Sequence, residues 1–352
     1  MAFKKKDHLV GLDIGSSLIK VAELKNNGKE YVLKKFGVQD VPHDAIEDGN
    51  IKDAEGVAEA IRALFKAQKI RKKNIAVSTG GASVVIKTIS VPIASEKELQ
   101  DSIWFEAEQY IPYDIEDVNV DFQILGTSEF SEEQMNVLLV AVKKDIVAEY
   151  IDLVNLAGLN PCVIDVDTFA LQNIYEVINQ GDKDKITMLI DIGASKISIN
   201  ILKGKSSLLT RDSSFGTFQI IEEIVSETDC TVEEAEKMLA GVDTRVAALK
   251  KVKEITIEVV KEWCSEILSV ISTYQSKSSE GDVEKIVLCG GGASVNGFSQ
   301  TLASEISADV SIFNPFKGMI INNKRFSPSF LSRMAPLAPI AFGLALRKMD
   351  DK

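Results

Sequence analysis

Residues 9–24 read LVGLDIGSSLIKVAEL, two short apolar stretches joined by a turn that carries a carboxylate, a glycine and two hydroxyls. Apolar residues alternate with Asp13 on the way into the turn and with Lys20 on the way out, which predicts a pair of β-strands. A carboxylate at a strand end can face a magnesium ion, while the amides and hydroxyls of the turn face a phosphate. Lys20 lies one strand length beyond the turn, where its ammonium can reach a phosphate oxygen.

A second copy of this pattern occupies residues 188–202, which read MLIDIGASKISINIL. Both copies contain Asp-Ile-Gly-x-Ser, and the offset from Asp13 to Asp191 is 191 − 13 = 178 residues, close to half of the 352-residue chain. One such turn alone is ordinary surface chemistry. Two copies, one in each half, indicate a duplicated architecture in which the two aspartates face each other across a cleft.

Length and composition favour a globular protein of two domains. The chain is 45% hydrophobic and 26% charged, and its net charge of −12 argues against non-specific nucleic-acid binding. Lys4, Lys5 and Lys6 depart from this acidity and are expected to form a solvated tail. The four cysteines are scattered without metal-ligand spacing, and no run is apolar and long enough to span a membrane. We therefore expect free thiols and a soluble cytoplasmic protein.

The order of the predicted elements in the first half is that of an RNase-H-like domain: three strands, a helix over 53–68 and a strand over 75–78. Residues 84–160 then interrupt this half with a strand, a helix, two strands and a helix. The inserted helix begins at a capping box, Ser95 to Glu98, and is predicted to run to Ile111. A polar turn is predicted over 126–134.

In the second half, a glycine run follows a buried strand at residues 286–289. Gly290, Gly291 and Gly292 allow a ligand to approach the backbone without a Cβ in the way. Helices are predicted over 217–227, 231–240, 246–276, 297–306 and 335–348.

Nearly the whole chain resembles the actin/FtsA-type ATPases, and within them the PilM family of type IV pilus assembly. Four motifs carry the resemblance, followed by two matches near the C-terminus. They are Asp13 to Lys20, Asp191 to Lys196, the connecting stretch Ile164 to Leu171, the adenosine motif Gly290 to Ala293, Asn314-Pro315-Phe316 and the closing run Ala341 to Arg347.

The resemblance implies an α/β, actin-like fold in which two RNase-H-like domains flank a nucleotide cleft, with an inserted subdomain of the FtsA/PilM type. The expected division is 1–83 with 161–185 and 335–352 as subdomain 1A, 84–160 as the inserted subdomain 1C, 186–215 with 284–334 as 2A, and 216–283 as 2B.

The resemblance also implies that the chain binds ATP and Mg2+. Asp13 and Asp191 would hold the magnesium through water. The residues expected to contact the nucleotide are Gly15, Ser16, Ser17, Lys20, Gly193, Ala194, Ser195, Lys196, Glu236, Gly290, Gly291 and Gly292. For Glu236, a solvated helix face is the alternative.

Asp167 lies where related proteins carry the acid that orients the attacking water, and Asp165 competes for that role. A carboxylate that caps a helix start would explain either residue equally well. Since Asp167 is shorter than a Glu, we expect slow or negligible hydrolysis, with the nucleotide acting as a clamp between domains.

The expected function is that of a cytoplasmic scaffold of the type IV pilus inner-membrane complex. By resemblance, it docks the cytoplasmic N-terminal tail of PilN between the first domain and the insert and reaches the membrane only through partners. The insert is locally aromatic, at Ile103, Trp104, Phe105, Tyr110 and Tyr113. For any one of these residues, core packing is the favoured explanation.

Other functions are considered as alternatives: an FtsA-like cell-division protein that anchors to the membrane, a small-molecule kinase of the same superfamily, or a chaperone of the Hsp70 kind. Further pilus assembly proteins are expected as partners. Self-association is left open.

Overall fold

The N-terminal hairpin forms the middle of the first sheet. The computed structural model describes residues 8–28, 30–47, 49–128, 131–181, 184–239, 246–349 and 351, so Lys4–Lys6 and part of the charged linker at 181–185 lie outside it. The first elements are β1 Val10–Ile14, β2 Leu18–Asn26, β3 Tyr31–Asp40, β4 Ile46–Glu47, β5 Asn50–Ile51, α1 Ala54–Gln68 and β6 Asn74–Thr79. β1 and β2 pair in antiparallel register and place Asp13 opposite Lys20.

The inserted block has its own three-stranded sheet, in the order β7-β9-β8. Its elements are β7 Val84–Pro92, α2 Glu96–Glu108, β8 Val118–Ser128, β9 Ser131–Lys143 and α3 Lys144–Leu156. The capping box at Ser95 and Glu98 is present. α2 ends three residues earlier than predicted because Pro112 disfavours helical geometry in the residue before it. The predicted turn over 126–134 is mostly strand, because the described residues at the tip of this hairpin are mostly exposed and their polarity is like that of a turn.

The chain then returns to the first sheet and builds a second one. The elements are β10 Asn160–Val166, α4 Asp167–Ile178, β11 Ile186–Ile192, β12 Ile197–Lys203, β13 Ser206–Ser213, α5 Thr217–Thr228, α6 Val232–Leu239, α7 Val246–Lys277, β14 Lys285–Cys289, α8 Phe298–Glu305 and β15 Asp309–Ile312. The strand orders β3-β2-β1-β6-β10 and β13-β12-β11-β14-β15 are equivalent. The duplicated architecture is therefore confirmed. Residue 240 of the predicted helix 231–240 lies outside the described residues.

The last segment returns to the first half earlier than predicted. Its elements are β16 Met319–Ile320, α9 Pro328–Met334 and α10 Pro339–Ala345. β16 pairs in parallel with β3, so residues 319–334 do not belong with the second sheet, as the division at 284–334 had assumed. The reason is packing, because Phe316 and Phe326 are buried in the same cluster as Phe36 of β3.

The predicted closing helix over 335–348 is shorter than expected. A 3-10 turn, Ala335–Leu337, precedes α10, because Pro336 and Pro339 supply no N–H groups to a continuous helix.

Two hydrophobic clusters cover the two faces of the first sheet. α1 and α3 pack on one face, and α4 and α10 pack on the other. The second of these clusters also contains Leu189, Leu202 and Val287 from the second sheet. The two halves therefore share buried apolar contacts beside the cleft that separates their turns. In the described part of the chain, no helix is long and apolar enough to cross a membrane, and all four cysteines are free thiols.

Candidate functional site

The two predicted turns meet across the cleft. The hydroxyl oxygens of Ser16 and Ser195 lie 2.9 Å apart and share a hydrogen bond between the two halves. The surrounding cavity has a volume of about 520 Å³ and is lined by both turns, by the loop that follows β6 and by the start of the glycine run. The sequence repeat therefore corresponds to a physical convergence of the two hairpins on one cavity.

Backbone donors are concentrated at this convergence. The N–H groups of Gly15 and Gly193 close their own turns on Leu18 and Lys196, at 3.1 and 2.9 Å. Within the described residues, the next amides in each turn have no acceptor; they belong to Ser16, Ser17, Ala194 and Ser195. Successive unpaired amides in a turn form an anion-binding concavity. The arrangement can therefore bind an anion that contacts both halves at once.

Asp13 lies at the floor of the cleft, where only 5% of the residue is exposed. Its carboxylate accepts from the Lys20 ammonium at 3.1 Å. Burial raises the pKa of Asp13 to about 6, an effect that Lys20 opposes and that the nearby charges of Asp167 and Asp191 reinforce. The pKa of Lys20 is raised, because its three acidic neighbours outweigh the effect of its burial.

Asp191 occupies the equivalent place in the second half. Burial raises its pKa, and its carboxylate accepts from the thiol of Cys289 on β14, at 3.5 Å. Gly290 follows with φ +81°, and a Cβ there would lie 2.6 Å from Asp191 Oδ1. The start of the glycine run thus leaves room for the carboxylate as well as for a ligand.

Asp167 begins α4 and faces the second hairpin. Its two oxygens accept from Ser78 and from Lys196, each at 2.6 Å. Burial alone would raise the pKa of Asp167, but the Lys196 charge and these two hydrogen bonds hold it below the usual value. Lys196 therefore pairs with an acid of the opposite half, whereas Lys20 pairs within its own hairpin.

Most of the predicted site residues line the same cavity. They are Asp13, Gly15, Ser16, Ser17, Lys20, Asp167, Asp191, Gly193, Ala194, Ser195, Lys196, Gly290 and Gly291. Three do not. Gly292 is buried against Ile192. Glu236 is exposed on α6, which agrees with the alternative that it lies on a solvated helix face.

Asp165 is the third predicted site residue that the structure places outside the cavity. It is buried, and its carboxylate accepts from Arg347 Nε at 2.7 Å. Side chains alternate along β10, so Asp165 and its neighbour Val166 point to opposite faces of the sheet. The competing water-orienting role for Asp165 is therefore corrected to an ion pair that fastens the C-terminal segment to the first sheet.

Sequence reasoning missed two buried hydroxyls that line the cavity. Thr168 Oγ1 and Ser198 Oγ have no hydrogen-bond partner within the described part of the chain. A signal for Ser198 existed, because it follows Asp191 by 198 − 191 = 7 residues, as Lys20 follows Asp13. Unsatisfied buried hydroxyls are rare, which makes both groups candidates for contact with a ligand.

Other missed lining residues lie at the rim and opposite the turns. Tyr150, Asp212 and the 3-10 turn at Pro336 and Leu337 line the cavity. No local pattern points to them, because each comes from an element whose approach to the cleft depends on tertiary packing.

The donor set suits a magnesium-bound polyphosphate. Asp13 and Asp191 supply carboxylate oxygens, and the raised pKa of each shows that an added cation would relieve charge there. Among the described residues, no group of three or more His, Cys, Asp or Glu side chains is close enough to hold a metal. Magnesium usually keeps several water ligands, so two carboxylates and a phosphate are enough to complete its coordination.

Two equivalent sheets around a cleft with paired turns define the actin-like class of proteins. Residues 11–349 match the family model described as type IV pilus assembly protein PilM. The chain belongs to this family.

Individual relatives agree with this assignment. The chain is similar to a solved PilM-PilN type IV pilus biogenesis complex, with 25% identity, a TM-score of 0.88, and coverage of 98% of this chain and 100% of that one. The cell division protein FtsA of Streptococcus pneumoniae is 22% identical over 88% of this chain and 76% of its own length. The FtsA of Bacillus subtilis is 23% identical over 87% and 78%. The ethanolamine utilization protein EutJ from Carboxydothermus hydrogenoformans shares the fold, at 15% identity and a TM-score of 0.56 over 96% of this chain and 89% of its own.

Proposed function

We propose that this chain is an ATP-binding scaffold of type IV pilus assembly that docks the cytoplasmic N-terminal tail of PilN. In this proposal, Mg2+-ATP lies in the cleft and holds the two halves together, and the protein acts at the cytoplasmic face of the inner membrane through its partners. The observation that carries the nucleotide site is the convergence of the two turns, whose hydroxyls lie 2.9 Å apart.

Each group of residues has a role in this site. The unpaired turn amides and the ammonium groups of Lys20 and Lys196 bind phosphate oxygens. Asp13 and Asp191 would hold the magnesium, which supplies charge neutralisation for the phosphates when bound. Gly290 and Gly291, at the end of β14, let the adenosine approach the backbone.

Slow hydrolysis is part of the proposal. A residue that orients or activates water needs a carboxylate that is free to accept its proton. Asp167 keeps the hydrogen bond from Ser78 when Lys196 turns to a phosphate, and its side chain is one methylene shorter than that of a Glu, so it stands farther from the phosphate and is a weak base. The bound nucleotide then acts mainly by holding the two halves together, and its hydrolysis contributes little.

The partner proposal is supported by the relative that was solved as a PilM-PilN complex and that matches 98% of this chain. Of the aromatic residues in the insert, Tyr110 and Tyr113 pack against its core, while Trp104 and Phe105 are 40% and 75% exposed. Trp104 and Phe105 therefore offer apolar surface to a partner.

Calorimetric titration with Mg2+-ATP tests the cleft. Asp13→Ala and Asp191→Ala should each weaken binding at least tenfold, while Asp152→Ala, on the exposed face of α3, should bind as the wild type does. Unchanged affinity in both cleft variants would refute the nucleotide site.

The partner is tested separately, with a synthetic PilN tail and fluorescence anisotropy in the presence and absence of Mg2+-ATP. Absence of binding under both conditions would refute the docking function and leave the nucleotide result intact.

A further inference from the structure

The loop Gly80–Ser83 lies where the cleft, the second half and the inserted block meet. It leaves the end of β6, passes through a 3-10 turn at Gly81–Ser83 and leads directly into β7, the first strand of the insert. Both Gly80 and Gly81 line the cavity. A change at the cleft would therefore reach the insert first through this loop.

On its cleft side, the loop is packed against the ion pair between the halves. A Cβ at Gly80 would lie 2.3 Å from Lys196 Nζ and 2.6 Å from Asp167 Oδ2, so the backbone there fits closely around the pair. The N–H of Gly81 donates to Asp212 Oδ2 of β13 at 2.6 Å. The second half thus holds the loop at two successive residues.

On its other side, the loop is bonded to the insert. The hydroxyl of Tyr113, between α2 and β8, donates to Ala82 O at 2.6 Å. The Tyr113 ring in turn lies under Lys143, whose Nζ is 4.4 Å from the ring centroid, at the end of β9. Tyr113 therefore connects the loop to the end of β9.

An anion in the cleft changes the balance of these contacts. Lys196 is shared between Asp167 and the cavity, and a phosphate group carries more charge and more acceptor oxygens than a carboxylate. When Lys196 turns to a phosphate, Asp167 loses its strongest partner. The loop that is fitted around the pair must then shift, because packed contacts of this kind have discrete arrangements.

We propose that the Gly80–Ser83 loop couples the cleft to the inserted block. In the arrangement described above, Lys196 holds Asp167 and the loop is fixed between Asp212 and Tyr113. An anionic ligand takes Lys196 from Asp167, the loop shifts, and the hydrogen bond from Tyr113 carries the shift to β7 and α2. This inference rests on the proposed binding of a nucleotide in the cleft.

Hydrogen–deuterium exchange of the full chain, with and without Mg2+-ATP, tests the coupling. In the wild type, the ligand should change the exchange rate of the β7 amides at residues 84–92 at least twofold. Tyr113→Phe should remove more than half of that response, while calorimetry shows nucleotide affinity within twofold of the wild type. Tyr110→Phe is the matched control, because the described residues offer its hydroxyl no hydrogen bond, and it should respond as the wild type does.

The outcomes separate the two proposals. If calorimetry detects no nucleotide binding in the wild type, the proposed function fails, and the coupling fails with it. If the nucleotide binds and the β7 amides do not respond, or if Tyr113→Phe responds as fully as Tyr110→Phe, the coupling alone is overturned. Asp212→Ala gives a second variant, in which the β7 response should also fall by more than half.

Discussion

The two hairpins descend from one pattern but use their charged groups differently. In the first, Asp13 pairs with Lys20 directly across the strands, and both charges stay within one half. In the second, the residue opposite Asp191 is Ser198, which carries no charge, and the lysine has moved into the turn, at Lys196. That lysine pairs with Asp167 of the other half. The first hairpin thus fixes a charge at the floor of the cleft, and the second spans the cleft.

The strands beneath the hairpins differ as well. Gly11 of β1 corresponds to Leu189 of β11, since 189 − 11 = 178. A Cβ at Gly11 would lie 2.1 Å from the carbonyl oxygen of Ala341, so α10 packs directly on the backbone of β1. Leu189 is itself fully buried in the cluster shared by the two halves. The same position in the repeat thus accepts a helix in one half and supplies a core side chain in the other.

The largest effect is expected at this position. Gly11→Leu, which copies the second hairpin into the first, should destabilise the protein by more than about 4 kcal/mol, because α10 cannot move away from β1 without opening the core. Leu189→Ala should cost about 2–5 kcal/mol as an ordinary cavity. Chemical denaturation followed by circular dichroism measures both. A Gly11→Leu variant within 1 kcal/mol of the wild type would contradict the close packing of α10 on β1.

Asp13→Asn should stabilise the protein while it weakens Mg2+-ATP binding at least tenfold. The pKa of Asp13 is raised to about 6 in the folded state, from an ordinary value of 3.8. The folded state therefore prefers the protonated acid, and stability is lost as the pH rises from about 4 through about 6. At pH 7 the charge costs up to about 3 kcal/mol, which Asn would recover.

Denaturation of wild type and Asp13→Asn at pH 4 and pH 7 measures this difference. The two proteins should be nearly equally stable at pH 4 and should diverge at pH 7. A variant less stable than the wild type at pH 7 would show that the pairing of Asp13 with Lys20 outweighs the burial of the carboxylate.

The pH dependence of ligand binding tests the role of the charge that the first hairpin fixes at the floor of the cleft, the carboxylate of Asp13. Affinity for Mg2+-ATP should fall as the pH drops below about 6, by up to about tenfold per pH unit, because the magnesium requires the ionised form of Asp13. The residual binding of Asp13→Asn should follow only the titration of the nucleotide itself. Calorimetry between pH 5 and pH 8 measures both profiles, and parallel profiles would remove Asp13 from the metal site.

The smallest effect is expected where the hairpins touch. Ser16→Ala and Ser195→Ala each remove one partner of the hydrogen bond between the halves and should cost about 1 kcal/mol. In a double-mutant cycle, the two changes together should cost less than their sum, by about 0.5–1 kcal/mol. Strict additivity in thermal denaturation would mean that the two turns do not meet in solution.

The features that depend on local sequence pattern were predicted well. The strands, the capping box at Ser95 and Glu98, and most of the predicted site residues follow from alternation, caps and the repeat. Asp165 was misplaced because a carboxylate beside a motif can face either side of its strand, and only the ion pair with Arg347 reveals which side it takes. The turn misread in the β8–β9 hairpin has another origin, since the described residues at the tip of this hairpin are mostly exposed and carry no apolar alternation.

By itself, the sequence determined the repeat, and with it the two sheets, the paired turns and the acids that each turn carries, because these depend on residues within one hairpin. The tertiary structure decided which groups meet across the cleft. It set the pairing of Lys196 with Asp167, the hydroxyls of Thr168 and Ser198 that find no partner among the described residues, and the return of residues 319–334 to the first half. Those contacts join residues that are far apart along the chain. Only the packing of α4, α10 and the two sheets brings them within hydrogen-bond distance.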